Sequence, residues 1–318
     1  MHISTAGIEW EGCRGERWWI DPPGRKIFNM ENVDRTVSPF PLAVFAPASA
    51  QSTTPVIVCI QGLSAPYGWN AFLIPTILSM GLVAVLIEAP LAAERSPARD
   101  FTAHVGIDMD ALASLGVTIG PNILRILMQT MSSDIATAMA SLRELRGLGN
   151  GPIGLFGVSM GSLYASHAFT FGGIGNRLLG CIGHSDLQAF SSSFANPSIL
   201  RAAAVVNMAP GVTDIATSVL GKQIGGMLRM SGILHEAATG SMNDINPVHH
   251  AHVVSSDRRV RFLVGDKDPL VNHEDAHRCA AAYADGAAYT VPGMGHGGGA
   301  FVEHVRNYVY TQLYDWKR

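Results

Sequence analysis

Apolar residues in this chain come in blocks, and the blocks fall into two lengths. The short ones, Pro55–Ile60, Leu82–Ile87, Ile153–Phe156, Ala202–Asn207 and Val260–Val264, are four to six residues long. Such runs, closed by turn residues such as Gln61-Gly62 or Pro90, predict strands buried on both faces. A further short strand is expected through Tyr289. The first fifty residues break their apolar runs with Pro22, Pro23, Pro39, Pro41 and Pro47, which predicts edge strands and turns.

The long blocks carry a different period. From Asn122 to Arg146, apolar residues fall at Ile123, Leu124, Leu127, Met128, Met131, Ile135, Met139, Leu142 and Leu145, the spacing of a helix with one buried face. Gly147 and Gly149 supply its stop, and Arg143 and Arg146 suit the negative end of its dipole. Shorter helices are expected over Ala71–Met80 and Ser162–Thr170. Another starts at the cap residue Asn272, with Glu274 and Asp275 in its first turn, and a last one carries Phe301, Val302, Val305, Tyr308, Val309 and Leu313. Buried strands alternating with helices predict an α/β fold: a mostly parallel open sheet with helices on both faces.

Composition narrows the functional classes. At 47% hydrophobic and 15% charged residues over 318 positions, the chain is too apolar for a disordered protein. A net charge of −3 with mixed signs offers no basic footprint for nucleic acid. Cys13, Cys59, Cys181 and Cys279 lie far apart, which suggests free thiols in a reducing, cytoplasmic setting and neither a metal site nor a redox pair. Glu9, Glu11, Glu16 and Asp21 leave no leader pattern in the first thirty residues. Pro75, Gly81, Glu88 and Pro90 interrupt the apolar stretch from Phe72 to Ala93, so no membrane span is expected there.

Candidate chemistry begins where the third buried strand ends, at Gly157-Val158-Ser159-Met160-Gly161. A serine there would sit on a sharp strand-to-helix turn, and glycines two positions away on each side remove side chains that would collide in it. A serine hydroxyl is a weak nucleophile until a base takes its proton and a carboxylate orients that base. In an open parallel sheet, all three must lie at the carboxyl ends of strands. The strand at Arg261–Val264 leads into Gly265-Asp266-Lys267-Asp268, and the strand through Tyr289 leads into Val291-Pro292-Gly293-Met294-Gly295-His296. Ser159, Asp268 and His296 are therefore the candidate catalytic residues, in the chain order serine, acid, histidine. Asp266 and Asp214 compete for the acid's place. His184-Ser185-Asp186 has the right residue types side by side, but a triad is assembled in space, so this reads as a turn. His249, His250 and His252 lack a carboxylate or cysteine at ligand spacing and read as an exposed helix end.

With these motifs in hand, the chain from about Thr54 to its C-terminus resembles an α/β-hydrolase-fold serine hydrolase of the esterase kind. The resemblance implies a nucleophile at Ser159, an acid at Asp268 and a base at His296. Gly81–Ser96 looks like the family's fourth strand and following loop, and Asn246–Ala251 like the short helix ahead of the acid strand. The family's usual His-Gly after the third strand is Gln61-Gly62 here. The oxyanion donors are backbone N–H groups, so Leu63 and Met160 are implied whatever the side chain at 61. The domain expectation is a hydrolase core over residues 1–211 and 254–318, with residues 212–253 inserted as a small helical cap. Met208, Met227, Met230, Met242 and Met294 could line an acyl pocket or simply pack the core.

The function these features predict is cleavage of carboxylic esters of small to medium apolar substrates through an acyl-enzyme, with no metal or organic cofactor. The expected partner is a small-molecule ester, with homo-oligomer formation left open. Thioester or amide hydrolysis by the same triad is the alternative, followed by a non-catalytic binding module. Haloalkane or epoxide hydrolysis would need an aspartate where Ser159 stands.

Overall fold

The structure, a computed structural model, describes residues 2–22, 39–62, 65–90, 95, 121–194, 242–297 and 300–316. The expected strand Ala202–Asn207, the competing acid Asp214, and Met208, Met227 and Met230 lie outside them, as does residue Leu63.

Among the described residues, nine strands form one sheet in the order β1-β2-β3-β5-β4-β6-β7-β8-β9. The strands are β1 His2–Trp10, β2 Cys13–Asp21, β3 Phe40–Phe45, β4 Val56–Ile60 and β5 Val83–Ile87. They continue with β6 Ile153–Val158, β7 Arg177–Cys181, β8 Arg259–Gly265 and β9 Asp285–Val291. The first three strands and the β3–β5 pair run antiparallel. Every pairing from β5 through β9 is parallel. The mostly parallel sheet read from the sequence is thus present, with an antiparallel extension at one side.

Alternation explains why β4 and β5 carry no polar residue. Val56, Val58 and Ile60 of β4 face one core, together with Val83, Val85 and Ile87 of β5. Ile57 and Cys59 face the opposite core with Ala84 and Leu86. Both faces of these strands are covered, so each successive side chain is withdrawn from water. At about 25 cal/mol per Å² of apolar surface, each fully buried Val or Ile contributes roughly 1.5–3 kcal/mol.

The first core is closed by α2 (Pro121–Arg146) and α3 (Met160–Thr170), and the second by α1 (Ile74–Ser79) and α6 (Phe301–Leu313). Leu127, Met128, Met131, Ile135, Met139 and Leu142 form the buried stripe of α2, whereas Leu145 is 45% exposed beyond the end of that stripe. Asp134 lies within the stripe, and its carboxylate receives Arg95 Nη1 at 2.8 Å with neither side chain exposed. The expected Ala71–Met80 helix begins earlier, as a 3-10 turn over Tyr67–Leu73 that runs into α1. Two more helices, α4 (Leu187–Phe194) and α5 (His273–Ala281), complete the described set, with a 3-10 helix at Pro247–Val253. Asn272 caps α5 as expected, its Oδ1 accepting the Glu274 N–H at 3.0 Å.

β7, Arg177-Leu178-Leu179-Gly180-Cys181, is not among the predicted strands and fills the sheet position between β6 and β8. A strand that opens on arginine and contains a glycine has weak local signals. Arg177 is 6% exposed; its guanidinium reaches both oxygens of Asp315 and lies 4.3 Å from the Trp316 ring centre. These partners are remote in sequence.

Of residues 212–253, only 242–253 are described. The Pro247–Val253 helix lies against α3, and Met242 and Ile245 are buried in the first core, while Met294 is buried in the second. Among the described residues, no helix is long and apolar enough to cross a membrane.

Candidate active site

At the junction of β6 and α3, Ser159 adopts φ 52°, ψ −120°, a backbone state that costs a non-glycine residue on the order of 1–3 kcal/mol. The surroundings hold it there. The Ser159 N–H donates to the Cys181 carbonyl at 2.8 Å, and the Ser162 N–H to the Ser159 carbonyl at 2.9 Å. Ser162 Oγ donates to the Gly157 carbonyl at 2.8 Å. A Cβ on Gly157 would stand 2.2 Å from the Gly161 carbonyl oxygen, and one on Gly161 would stand 2.5 Å from the carbonyl oxygens of Ile60 and Gln61. Backbone approaching backbone is therefore what requires glycine at both flanking places of the motif.

Asp268 follows β8 and His296 follows β9, both at the same end of the sheet as Ser159. The two loops meet at Gly265, where a Cβ would lie 1.9 Å from the Met294 carbonyl oxygen. The Lys267 N–H also donates to that carbonyl, at 3.1 Å. Asp266 is the second fastening: its Oδ1 accepts the Gly293 N–H at 2.6 Å, so this carboxylate shapes the histidine loop and is spent on it.

Ser159 comes together with Asp268 and His296, both more than a hundred positions further along the chain. Ser159 Oγ is 2.9 Å from His296 Nε2. His296 Nδ1 lies 2.8 Å from Asp268 Oδ2 and 3.0 Å from Oδ1. The Leu270 and Val271 N–H groups donate to Asp268 Oδ1 at 2.8 and 3.0 Å. The Asp268 side chain has no exposure, and that of His296 has 16%. A carboxylate surrounded only by donors leaves the imidazole one sensible arrangement. Nδ1 carries the proton toward Asp268, and the Nε2 lone pair faces the serine hydroxyl. Such a hydroxyl can lose its proton to the ring as it attacks an electrophile.

Met160, directly after the serine, opens α3, where the first N–H groups of a helix have no partner within it. Gln61 is fully buried, and its Nε2 donates to Glu88 Oε1 at 3.1 Å. In the sequence Glu88 stood out as a break in an apolar stretch and not as a site residue. Its only signal was an acidic residue at the end of an otherwise apolar strand, a place where charge requires partners.

His184-Ser185-Asp186 lies at the end of β7 and does not form a second site. His184 Nδ1 accepts the Asp186 N–H at 3.2 Å, and burial pushes the ring down to about 4. Asp186 accepts from Asn246 Nδ2 at 3.0 Å, Arg278 Nη2 at 2.9 Å and the Gln188 and Ala189 N–H groups. Burial opposes its charge, and these bonds outweigh burial and hold the carboxyl below its usual range. Of the histidines read as a helix end, His249 and His252 are exposed, and His250 Nε2 donates to the Asn243 carbonyl at 3.0 Å while its ring packs on Phe171.

No protein-family profile matches the chain, and no curated protein does. Solved structures do. A lipase in its open form superposes with TM-score 0.55 at 13% identity, covering 100% of both chains. A cold-adapted esterase from an Arctic intertidal metagenomic library gives 0.53 at 13%, over 98% of this chain and 99% of that one. A hydrolase from Pseudomonas aeruginosa PA01 gives 0.52 at 12%, over 86% and 95%. The chain has the α/β-hydrolase fold.

Proposed function

We propose that the protein is a serine hydrolase of carboxylic esters with small to medium, largely apolar substrates. The observation that carries this reading is the hydrogen-bonded chain Ser159 Oγ–His296 Nε2 at 2.9 Å and His296 Nδ1–Asp268 Oδ2 at 2.8 Å, mounted on the strained turn at Ser159. Ser159 Oγ attacks the ester carbonyl as His296 Nε2 takes its proton. Asp268 keeps the ring in the required tautomer and stabilises the imidazolium. The N–H groups of Met160 and Leu63 hold the tetrahedral oxyanion. Its collapse expels the alcohol, which receives the proton from His296, and leaves an acyl group on Ser159. Water, deprotonated by the same ring, then releases the acid and restores the serine.

The neighbouring esterase and lipase structures support ester cleavage over other uses of the fold. Buried thiols at Cys59, Cys181 and Cys279 support a reducing, cytoplasmic setting. The domain reading stays as a hydrolase core over residues 1–211 and 254–318 with a cap over 212–253.

Turnover of p-nitrophenyl butyrate tests the assignment. Ser159→Ala is expected to lower kcat by about 10⁴-fold or more, and a fluorophosphonate should label Ser159 in the wild type. Undiminished turnover in that variant would overturn the reading.

A further inference from the structure

One buried carboxylate near the site has no part in the proton relay. Glu88 directly follows β5, next to β4 in the sheet, and is fully buried. Its Oε1 accepts Gln61 Nε2 at 3.1 Å, and its Oε2 accepts the Tyr67 N–H at 3.1 Å. Gln61 is the first residue after β4, and Tyr67 opens the following 3-10 turn. A single side chain thus ties together both ends of the connection 61–67, the segment to which the proposed donor Leu63 belongs. Glu88 is itself anchored: Arg95 Nη1 donates to its carbonyl at 2.9 Å and to Asp134 Oδ2 on α2 at 2.8 Å. Burying a carboxylate is costly unless its oxygens are satisfied, and an aliphatic residue could fill the volume at a lower cost. What the acid supplies that an aliphatic residue could not is two directed acceptors aimed at the two ends of one loop.

We infer that Glu88 is a positioning residue for the oxyanion-binding side of the site, holding Gln61, and with it Gly62, in register with Ser159. The inference rests on the serine-hydrolase reading. Its physical basis is that backbone donors stabilise an oxyanion only when they are already in place, and a misplacement of about 1 Å can cost on the order of 10²-fold in rate. The register itself is tight, because Gly62 leaves only 3.4 Å between its added Cβ and Ser159 Cβ.

Glu88→Ala removes both ties. Glu88→Gln retains an acceptor for the Tyr67 N–H, and its amide can donate to Gln61 Oε1, a buried atom without a partner, once the Gln61 amide turns over. Three measurements are made: kcat and KM for p-nitrophenyl butyrate, inhibition by a trifluoromethyl ketone, which adds reversibly to the serine as a tetrahedral oxyanion, and hydrogen–deuterium exchange of the 60–70 peptide. Glu88→Ala should lower kcat by about 10- to 100-fold with KM within about threefold, weaken the ketone in parallel, and quicken exchange at 60–70. Glu88→Gln should restore all three to within about fivefold. A folded Glu88→Ala protein with wild-type kcat and ketone affinity overturns the inference. If that variant does not fold, Gln61→Met cuts one tie and leaves the other. The same losses in smaller degree support the inference, and wild-type values overturn it. Failure of the underlying reading looks different: wild-type protein would show neither turnover nor Ser159 labelling, while Glu88→Ala still quickened exchange at 60–70.

Discussion

The chain contains two Ser/His/Asp groupings, and they illustrate opposite uses of the same residue types. In Ser159, His296 and Asp268 the imidazole accepts nothing from the backbone. One nitrogen faces a carboxylate and the other a hydroxyl. In His184-Ser185-Asp186 the imidazole spends its Nδ1 lone pair on a backbone N–H, and the carboxylate spends its oxygens on Asn246, Arg278 and the first turn of α4. Adjacency in sequence gave the second group its letters but committed the His184 Nδ1 lone pair and the Asp186 oxygens to folding. Separation along the chain left the first group free to be arranged for chemistry.

Charge deletion should separate the two groups most sharply. Asp268→Asn is expected to lower kcat/KM about 10²- to 10⁴-fold, roughly 3–5.5 kcal/mol, because an amide cannot hold the Nδ1–H tautomer. Asp186→Asn should leave kcat/KM within about threefold and instead lower stability by roughly 1–3 kcal/mol, read as a fall in the urea midpoint. An Asp186 variant as inactive as the Asp268 variant would erase the distinction.

Titration is a second way to test it, with an effect of intermediate size. Burial pushes both His184 and His167 down to about 4. Below an unfolded value of about 6.5 the unfolded chain takes up protons that the native rings refuse. Stability is therefore fully present above that value and is lost as pH falls through the window from 6.5 to about 4, by about 2 kcal/mol per ring at pH 5. Chemical denaturation at pH 7 and pH 5 measures this, and His184→Gln should remove about half of the loss.

The smallest effect is expected at the neighbour of the candidate acid Asp268. Asp266→Asn keeps an oxygen for the Gly293 N–H, so kcat/KM should stay within about threefold and stability within about 1 kcal/mol. A loss matching that of Asp268→Asn would move the acid's role to Asp266.

Much of the architecture was readable because it follows from local rules. β4 and β5 announce themselves by unbroken apolar runs rich in β-branched residues, and Asn272 by the preference of its side chain for the first N–H groups of a helix. The turn at Ser159 is legible because two glycines are needed wherever backbones approach so closely. β7 was not legible, since Arg177 becomes a strand residue only when Asp315 and Trp316 arrive from the far end of the chain. Nor was Glu88, whose partners at Gln61 and Tyr67 sit on a neighbouring strand's exit.

From its sequence alone, then, the chain specified its alternating elements, its two-sided burial and the candidate serine, histidine and aspartate that the fold brings together, because periodicity and backbone sterics act over a few residues. Folding in three dimensions decided which histidine kept a free lone pair, which aspartate was spent as a fastening, and where a buried glutamate found its donors. Hydrogen bonds are directional and reach only about 3 Å, so these outcomes depend on which strand ends become neighbours.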